Sequence, residues 1–240
     1  MSAVEKQQVE KQQTDEVGRL GAGERRRYRS TLRDERAADT RTRIIDSARA
    51  LFAERGFAGT TVAVIAKHAG VATPTVYAVF CSKAEIMKEL VGRLEAEADS
   101  EQWHARIDSE PDPQRKLDWY AVWHRTLFSS GKDVLGAALN AGSDPSVLDL
   151  REQGDRHAQT WLSLIVDALD KSDLLAPGLT QQDAIDRALL LSSVELYFRA
   201  TVGRGWSDDQ YQQWLIESLH QQILGRLPAT TPDGQRPGAL

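Results

Sequence analysis

The sequence has almost no cysteine and no long hydrophobic run, and both absences limit what the protein does. Cys81 is the single cysteine of 240 residues, so the chain forms no intrachain disulfide and no cysteine metal cluster, which favours a reducing, cytoplasmic location. No run of about 18 apolar residues predicts a membrane span, and the polar N-terminus has no apolar signal core. The five histidines lack metal-ligand spacing, so we expect no metal and no cofactor.

Enzyme motifs are also missing from the sequence. It contains no glycine-rich phosphate loop, no nucleophile elbow and no paired-metal spacing. The acidic residues of 93–240 are scattered, as is typical of solvated helix faces. We therefore expect no enzymatic activity, and turnover of any compound that survives mutation of the nucleic-acid-binding part would contradict this.

The net charge of −5 is unevenly distributed along the chain. Residues 40–92 hold 7 Lys/Arg and 4 Asp/Glu, whereas residues 93–240 hold 14 and 23. Because DNA attracts positive surface and repels negative surface, the first part is the better candidate for nucleic-acid contact. The acidic remainder is expected to point away from DNA and to do a different job.

Apolar residues recur at helical spacing through most of the chain, and no hairpin signal is present, so the fold class is predicted to be all-α. Predicted helices include one continuous helix over 180–202 and helices opened by capping-box patterns at Ser82 and Ser207. Composition and periodicity divide the chain into a disordered basic arm, a head, a helical body and a flexible tail. These segments are residues 1–38, 39–93, 94–228 and 229–240.

Residues 60–80, TTVAVIAKHAGVATPTVYAVF, predict two short helices joined by a sharp turn. Gly70 permits the positive φ that the turn requires. Thr73 as N-cap and Pro74 at the first helical position are predicted to open the second helix. This order predicts a helix-turn-helix over about 61–80, the motif whose second helix enters the DNA major groove.

The run from Thr42 to Leu94 resembles the DNA-binding domain of the TetR family of transcriptional regulators. The resemblance is carried by IIDSARALFAERGF, TTVAVIAKHAGV, TPTVYAVF and the SK before the fourth helix, in that order and spacing. A softer match, ELYFRATVGRGWSDDQYQQWL, resembles the last two helices of many members. The resemblance implies a three-helix head, a helical effector-binding and dimerisation body, and a homodimer. Ala72 and Cys81 depart from the commoner Ser and Gly.

The DNA contacts are predicted on and around the second helix of the motif. By resemblance, Tyr77 and Lys83 contact phosphate, the alternatives being that Tyr77 packs and Lys83 is solvated. Base edges are assigned to hydroxyl and carbon atoms of the helix start, and the arginine run of the arm is either a minor-groove or phosphate contact or a solvated charge run. The full predicted set is Thr61, Thr73, Pro74, Thr75, Tyr77, Lys83, Arg25, Arg26 and Arg27.

Aromatic residues of the body are predicted either to fill its core or to line a cavity for a largely apolar small-molecule effector. Trp119, Trp123 and Trp161 are the predicted ligand contacts. His124 and Glu195 are the predicted polar anchors, the alternatives being a satisfied histidine and an ion pair from Glu195 to Arg199 four residues on.

The last two predicted helices have more apolar surface than a small helical body needs to bury. By resemblance these helices form a four-helix bundle between two subunits. Candidates for that seam are Trp214, Leu215 and Leu219, with intrachain core as the alternative. The combined prediction is a ligand-released homodimeric repressor that binds a palindromic operator in double-stranded DNA. The alternatives are an activator with the same head and a helical adaptor that binds a protein.

Overall fold

The computed structural model describes residues 22–142 and 144–226, with the side chains of 22–30 outside the described part. Every regular element in this part is helical, which confirms the all-α prediction. No single helix there is long and apolar enough to cross a membrane. The helices are α1 (Ala22–Arg55), α2 (Val62–Ala69), α3 (Thr73–Val79), α4 (Lys83–Glu97), α5 (Ser100–Ser109), α6 (Pro113–Ser130), α7 (Lys132–Leu139), α8 (Pro145–Lys171), α9 (Gln181–Leu191), α10 (Val194–Thr201) and α11 (Asp208–Leu219), followed by a π-helical turn (His220–Leu224).

Helix α1 is longer than the sequence predicts, because it begins at Ala22 and not after a disordered segment ending at residue 38. The sequence from 22 to 38 contains no proline and is rich in Ala, Arg and Glu, which are good helix formers. Once the buried part of α1 is helical, adding each further residue to the helix costs little free energy, so the helix extends toward the N-terminus. Residues 1–21 and 227–240, which include the predicted tail at 229–240, lie outside the described residues.

The head is built on α1, α2, α3 and the first half of α4. Its core consists of fully or nearly fully buried apolar side chains, among them Ile44, Phe52, Ile65 and Met87. The same cluster includes Val134 and other residues of α7, so the head packs directly against the body. Helix α4 continues past the predicted boundary at residue 93 and belongs to both parts.

In the body, α6 packs against α4, α5, α8 and α11. Trp103, Tyr120, Leu162 and Tyr197 are fully or nearly fully buried in its core. The sequence predicts capping boxes at Ser207 in the body and at Ser82 in the head. Ser207 forms a complete capping box with Gln210, whereas Ser82 accepts from the Glu85 N–H without a reciprocal bond being formed.

The predicted helix over 180–202 is interrupted, so that α9 and α10 are separate helices. Ser192 ends α9, and Ser193 has an extended backbone with φ −68° and ψ 144°. The Ser192 hydroxyl donates to the Ala188 carbonyl at 2.7 Å and contacts the Tyr120 hydroxyl at 3.1 Å. Serine side chains compete for backbone groups in this way and favour a helix break, a local effect that apolar periodicity does not reveal.

Candidate nucleic-acid interface and ligand cavity

A left-handed glycine sets the angle between α2 and α3. Gly70 has φ 65° and ψ 37°, a conformation that glycine adopts at low cost. The Val71 N–H donates to the Ala66 carbonyl at 3.0 Å, which closes the end of α2 in the Schellman pattern. The two helices are bent by 102° relative to each other, within the range of about 90–120° for a helix-turn-helix.

Helix α3 buries one side and exposes the other. Val76 is fully buried, whereas Tyr77 is 54% exposed. The side-chain hydroxyls of Thr73 and Thr75 form no hydrogen bond among the described residues. Thr73 is the first helical residue and not the N-cap, because the extended Ala72 occupies the cap position. The exposed start of α3 therefore presents two free hydroxyls and a phenol to solvent.

Two adjacent threonines at the start of α2 have different roles. Thr61 is the N-cap, and its hydroxyl oxygen accepts from the Val64 N–H at 3.3 Å while the residue stays exposed. Thr60 is fully buried and donates to the Gly56 carbonyl at 2.9 Å. The capping role predicted for Thr61 agrees with this geometry, and its contact with phosphate stays a prediction.

The Lys83 side chain is directed into the head, toward the loop between α1 and α2. Its ammonium donates to the carbonyls of Phe57 at 2.7 Å and Thr60 at 3.0 Å, and it lies 3.9 Å from the centre of the Phe57 ring. Desolvation by burial lowers the pKa of this ammonium below its usual value. The geometry assigns Lys83 to holding the loop between α1 and α2, and its contact with phosphate stays a prediction.

The arginine run of the predicted arm lies on α1. The backbone of Arg25, Arg26 and Arg27 is helical, and their side chains lie outside the described residues. At about 1.5 Å per residue, the helical distance from Arg29 to Thr40 is about 17 Å, roughly half the 35 Å or so of an extended linker. The arginines are thus held closer to the head than the sequence predicts.

A cavity of about 340 Å³ lies in the body between α4, α6, α7, α8 and the α9–α10 junction. Its walls are mostly apolar and include Val91 and Leu94 of α4 and Phe128 of α6. This volume falls within the range of about 300–1,000 Å³ that is usual for small-molecule sites. The interrupted α9–α10 helix supplies one wall, including Ser192 and Ser193.

Three of the five predicted ligand residues line this cavity. Trp123 and His124 form part of the α6 wall, and Glu195 lies at the start of α10. The Glu195 carboxylate pairs with Arg151 of α8 and not with Arg199, so the local ion pair considered as its alternative is absent. Because Arg151 also borders the cavity, the pair belongs to its rim.

Trp119 and Trp161 lie outside the cavity. Trp119 packs against Trp103, with the Arg106 guanidinium 3.6 Å from its ring centre, and it therefore belongs to the core. Trp161 stacks on His104 with ring centres 4.1 Å apart. The helical period of Trp119 in the sequence identified a buried face, but a buried face can border core or cavity, and the sequence does not distinguish the two.

The structure adds a histidine stack beside the cavity. His104 stacks on both Trp161 and His157, and burial together with the nearby His157 lowers its pKa to about 4. The Trp161 indole N–H donates to His157 at 3.2 Å. The i,i+4 spacing of His157 and Trp161 was the one signal for this contact in the sequence, whereas His104 comes from a different helix and left none.

The helix-turn-helix also matches a known family. Residues 44–90 match the model of bacterial regulatory proteins, tetR family. This DNA-binding head is of the TetR type. The HTH-type transcriptional regulator TtgR of Pseudomonas putida is 38% identical to it over 86 residues, which are 35% of this chain and 41% of TtgR. The chain therefore matches about two fifths of the length of this curated TetR relative.

Solved structures of TetR-type regulators share the overall fold. NalD, the secondary repressor of the MexAB-OprM multidrug efflux pump in Pseudomonas aeruginosa, superposes with a TM-score of 0.65 at 23% identity, covering 79% of this chain and 98% of NalD. FadR of Bacillus subtilis in complex with stearoyl-CoA gives 0.63 at 20% identity, covering 76% and 98%. The TetR fold therefore extends through the body as well as the head.

Two of the three residues predicted for the dimer seam belong to the core of a single chain, which was the alternative for them. Leu215 and Leu219 are fully buried in the core of a single chain, because this face of α11 packs on α6. Trp214 is half-buried and packs beside Trp206 with ring centres 5.9 Å apart. The large apolar side chains exposed in the body include Leu164 and Leu190.

An ion-pair network that the sequence did not indicate joins the TetR head to the body. Arg49 of α1 donates to Asp133 of α7 at 2.6 Å and to Glu97 at the end of α4 at 3.0 Å. Hydrogen bonding to Asp133, opposed by burial, raises the pKa of the Arg49 guanidinium above its usual value. The residues are 48 and 84 positions apart, so no local pattern links them.

Proposed function

We propose that this protein is a sequence-specific DNA-binding transcriptional regulator, and not an enzyme, that acts in the cytoplasm. The observation that carries the proposal is the exposed start of α3, with its half-exposed Tyr77 and the free hydroxyls of Thr73 and Thr75. These groups stand on a helix that the Gly70 turn projects from the head. The family match over residues 44–90 covers the same unit.

The exposed groups of α3 differ in what they recognise. The Tyr77 phenol donates to phosphate oxygens, which position the protein without reading sequence. The hydroxyls of Thr73 and Thr75 and the ring carbons of Pro74 meet base edges and thymine methyl groups in the major groove. Because a hydroxyl specifies a base less strictly than a bidentate arginine does, we propose that specificity also depends on two half-sites and on DNA shape.

We propose that the helical N-terminal part of α1 adds affinity that is independent of sequence. Arg25, Arg26 and Arg27 are the proposed phosphate or minor-groove contacts, together with Thr61 of the head as a further phosphate contact. Lys83 is proposed to hold the loop between α1 and α2, with a phosphate contact as its alternative. Each phosphate that is neutralised releases a counterion, so binding weakens as salt rises. Removal of residues 1–38 is expected to lower the slope of affinity against salt, and an unchanged slope would exclude the arm from DNA.

A homodimer bound to a palindromic operator is the proposed assembly. Leu190 of α9 is 70% exposed and Leu164 of α8 is 58% exposed, and Val202 after α10 is also exposed. Apolar side chains of this size on several helices are better buried against a second copy than left in water. The proposed seam uses these residues and Trp214, and two heads then read half-sites about one DNA turn, or a multiple of it, apart.

We propose that a small molecule in the cavity releases the protein from DNA. Helix α4 follows α3 directly, with Met87 in the head core and Val91 and Leu94 at the cavity wall. A ligand that favours one position of α4 therefore changes where α3 lies. It shifts the balance only by its difference in affinity between the DNA-competent and released states. NalD is a secondary repressor, and FadR was solved in complex with stearoyl-CoA. Both support a ligand-released repressor here.

Two other functions remain as outcomes of experiment. An activator would use the same head and would raise transcription from its target promoter. A protein-binding adaptor would retain a partner protein tightly and would retard no promoter fragment.

Selection of bound fragments from a random DNA pool tests the proposal. A palindromic consensus supports it, and the absence of any enriched sequence would contradict it. On the selected DNA, Thr75→Ala is expected to change the preferred bases, whereas Tyr77→Phe weakens binding to all sequences alike. Thr160→Ala, on the exposed face of α8, is the matched control and should change neither. If the two α3 variants act alike across sequences, the division of roles is wrong.

A further inference from the structure

Charges at the cavity opening identify the kind of ligand that the proposed regulator binds. Four ionised side chains border the cavity: Glu95, Arg151, Asp155 and Glu195. The Arg151 charge is already matched by Glu195. Glu95 and Asp155 are exposed and form no ion pair or hydrogen bond among the described residues. The opening therefore carries two uncompensated negative charges and no uncompensated positive one.

Inside the cavity, His124 presents an unused acceptor. Its Nδ1 lies 3.1 Å from the Tyr120 carbonyl, and since a carbonyl only accepts, Nδ1 carries the ring proton. The neutral ring then has a lone pair on Nε2, which has no partner among the described residues. The His124 side chain is 96% buried, but its Nε2 atom is not completely enclosed by protein, whereas Nε2 of His104 is. Because His124 lines the cavity, a ligand in the cavity can reach this nitrogen.

Desolvation keeps this acceptor available at neutral pH. Burial lowers the pKa of His124 to about 3, against a smaller opposing effect of its bond to the Tyr120 carbonyl. A bound carboxylate or phosphate would meet a lone pair here instead of a donor. A ligand with an N–H group would instead satisfy the acceptor.

We infer that the cavity binds an apolar organic cation with N–H donors, a protonated lipophilic amine, in preference to an acyl anion. This inference rests on the proposed function and specifies the ligand of the same site. The positive charge is attracted to the opening between Glu95 and Asp155, and the hydrocarbon part packs against Trp123, Leu127 and Phe128. The aromatic faces of Trp123 and Phe128 add cation–π attraction. An N–H group is directed to Nε2 of His124.

The size of the preference follows from the exposure of the two carboxylates. A single screened charge pair at a protein surface changes an equilibrium by a factor of up to about five. Two such charges attract a cation and repel an anion of the same shape. We therefore expect a ten-carbon ammonium to bind about tenfold more tightly than the matched carboxylate.

Four probes with one hydrocarbon chain test this inference on the full chain: decylammonium, decyltrimethylammonium, decanol and decanoate, each below its micelle concentration. Affinity is measured by titration calorimetry and by tryptophan fluorescence, which Trp123 reports from the cavity wall. Decylammonium is expected to bind most tightly, with decyltrimethylammonium weaker because it has no N–H donor. Equal or tighter binding of decanoate, or no binding of any probe, would overturn the inference.

A pair of substitutions that removes two charges tests whether the preference comes from the rim carboxylates or from the net charge of the protein. Glu95→Gln with Asp155→Asn is expected to abolish the preference for decylammonium over decanoate and to leave decanol affinity unchanged. The matched control is Glu101→Gln with Asp108→Asn, two exposed acids of α5 outside the cavity, which should keep the preference. An unchanged preference in the first pair, or an equal loss in both pairs, would contradict the assignment of Glu95 and Asp155.

The same probes distinguish failure of the inference from failure of the proposed function. If decylammonium binds preferentially but does not change affinity for the selected DNA, the ligand chemistry holds and ligand-controlled release is wrong. If decanoate binds more tightly and releases DNA, the proposed regulatory function is supported and the cation preference is wrong.

Discussion

Replacement of Lys83 by methionine decides whether this residue holds the loop between α1 and α2 or contacts phosphate. Lys83→Met keeps the length of the side chain and removes the ammonium, which leaves the carbonyls of Phe57 and Thr60 without their donor. Each hydrogen bond to a charged group contributes roughly 1.5–3 kcal/mol. Because the side chain is partly exposed and the ammonium is itself desolvated, the two bonds together are expected to contribute about 2–3 kcal/mol.

A loss of this size is easily measured by thermal and urea denaturation. For a protein of this length, about 1 kcal/mol shifts the melting temperature by roughly 2–4 °C, so Lys83→Met should melt roughly 4–12 °C lower. Lys88→Met, on the exposed side of the same helix, is the matched control and should change stability by less than about 0.5 kcal/mol. Unchanged stability of Lys83→Met, with DNA binding weakened and the salt slope reduced by about one, would refute the structural role and make Lys83 a phosphate contact.

Three further predictions concern the head–body link, the buried histidine and the dimer. Arg49→Met removes both ion pairs of the link, and since these are partly exposed it should lower the free energy of unfolding by only about 1 kcal/mol in urea denaturation; a larger loss would mean that the link dominates the interface. The pKa of His124 is about 3 in the folded protein and near 6.5 in the unfolded chain. As pH falls below 6.5, only the unfolded chain binds this proton, so this group should lower the free energy of unfolding by up to about 1.4 kcal/mol per pH unit. His124→Phe should therefore show a smaller difference in stability between pH 7 and pH 5 in denaturation experiments. Leu190→Asp places a charge on the proposed seam and should convert a dimer to monomer in sedimentation velocity without changing the helical circular dichroism; an unchanged oligomer would exclude Leu190 from the seam.

Local chemistry made the helix-turn-helix predictable from sequence. Gly70 permits a positive φ, Pro74 fixes φ at the start of a helix, and the Ser207 capping box depends on residues three positions apart. Such interactions involve residues that are close in the sequence, so the local sequence pattern predicts them. The exposed side of α3 follows from the same pattern, because burial of Val76 directs Tyr77 outward.

Long-range choices were not predictable in the same way. An apolar face on α11 is compatible with packing inside the chain or between chains, and only the fold shows that Leu215 and Leu219 are already buried. Arg49 finds its partners on helices far along the chain. The break at Ser192 depends on a hydroxyl that competes for a backbone carbonyl, and it creates one wall of the cavity.

The central claim is that the exposed side of α3 lies against DNA bases, and site-directed photocrosslinking measures this directly. A photoreactive side chain at Ala78, which is exposed on α3, should crosslink to the selected DNA fragment within the half-site. The same group at Glu101, on α5 in the body, should not crosslink. Crosslinking from position 101 but not from position 78, with the protein fully bound, would contradict the account.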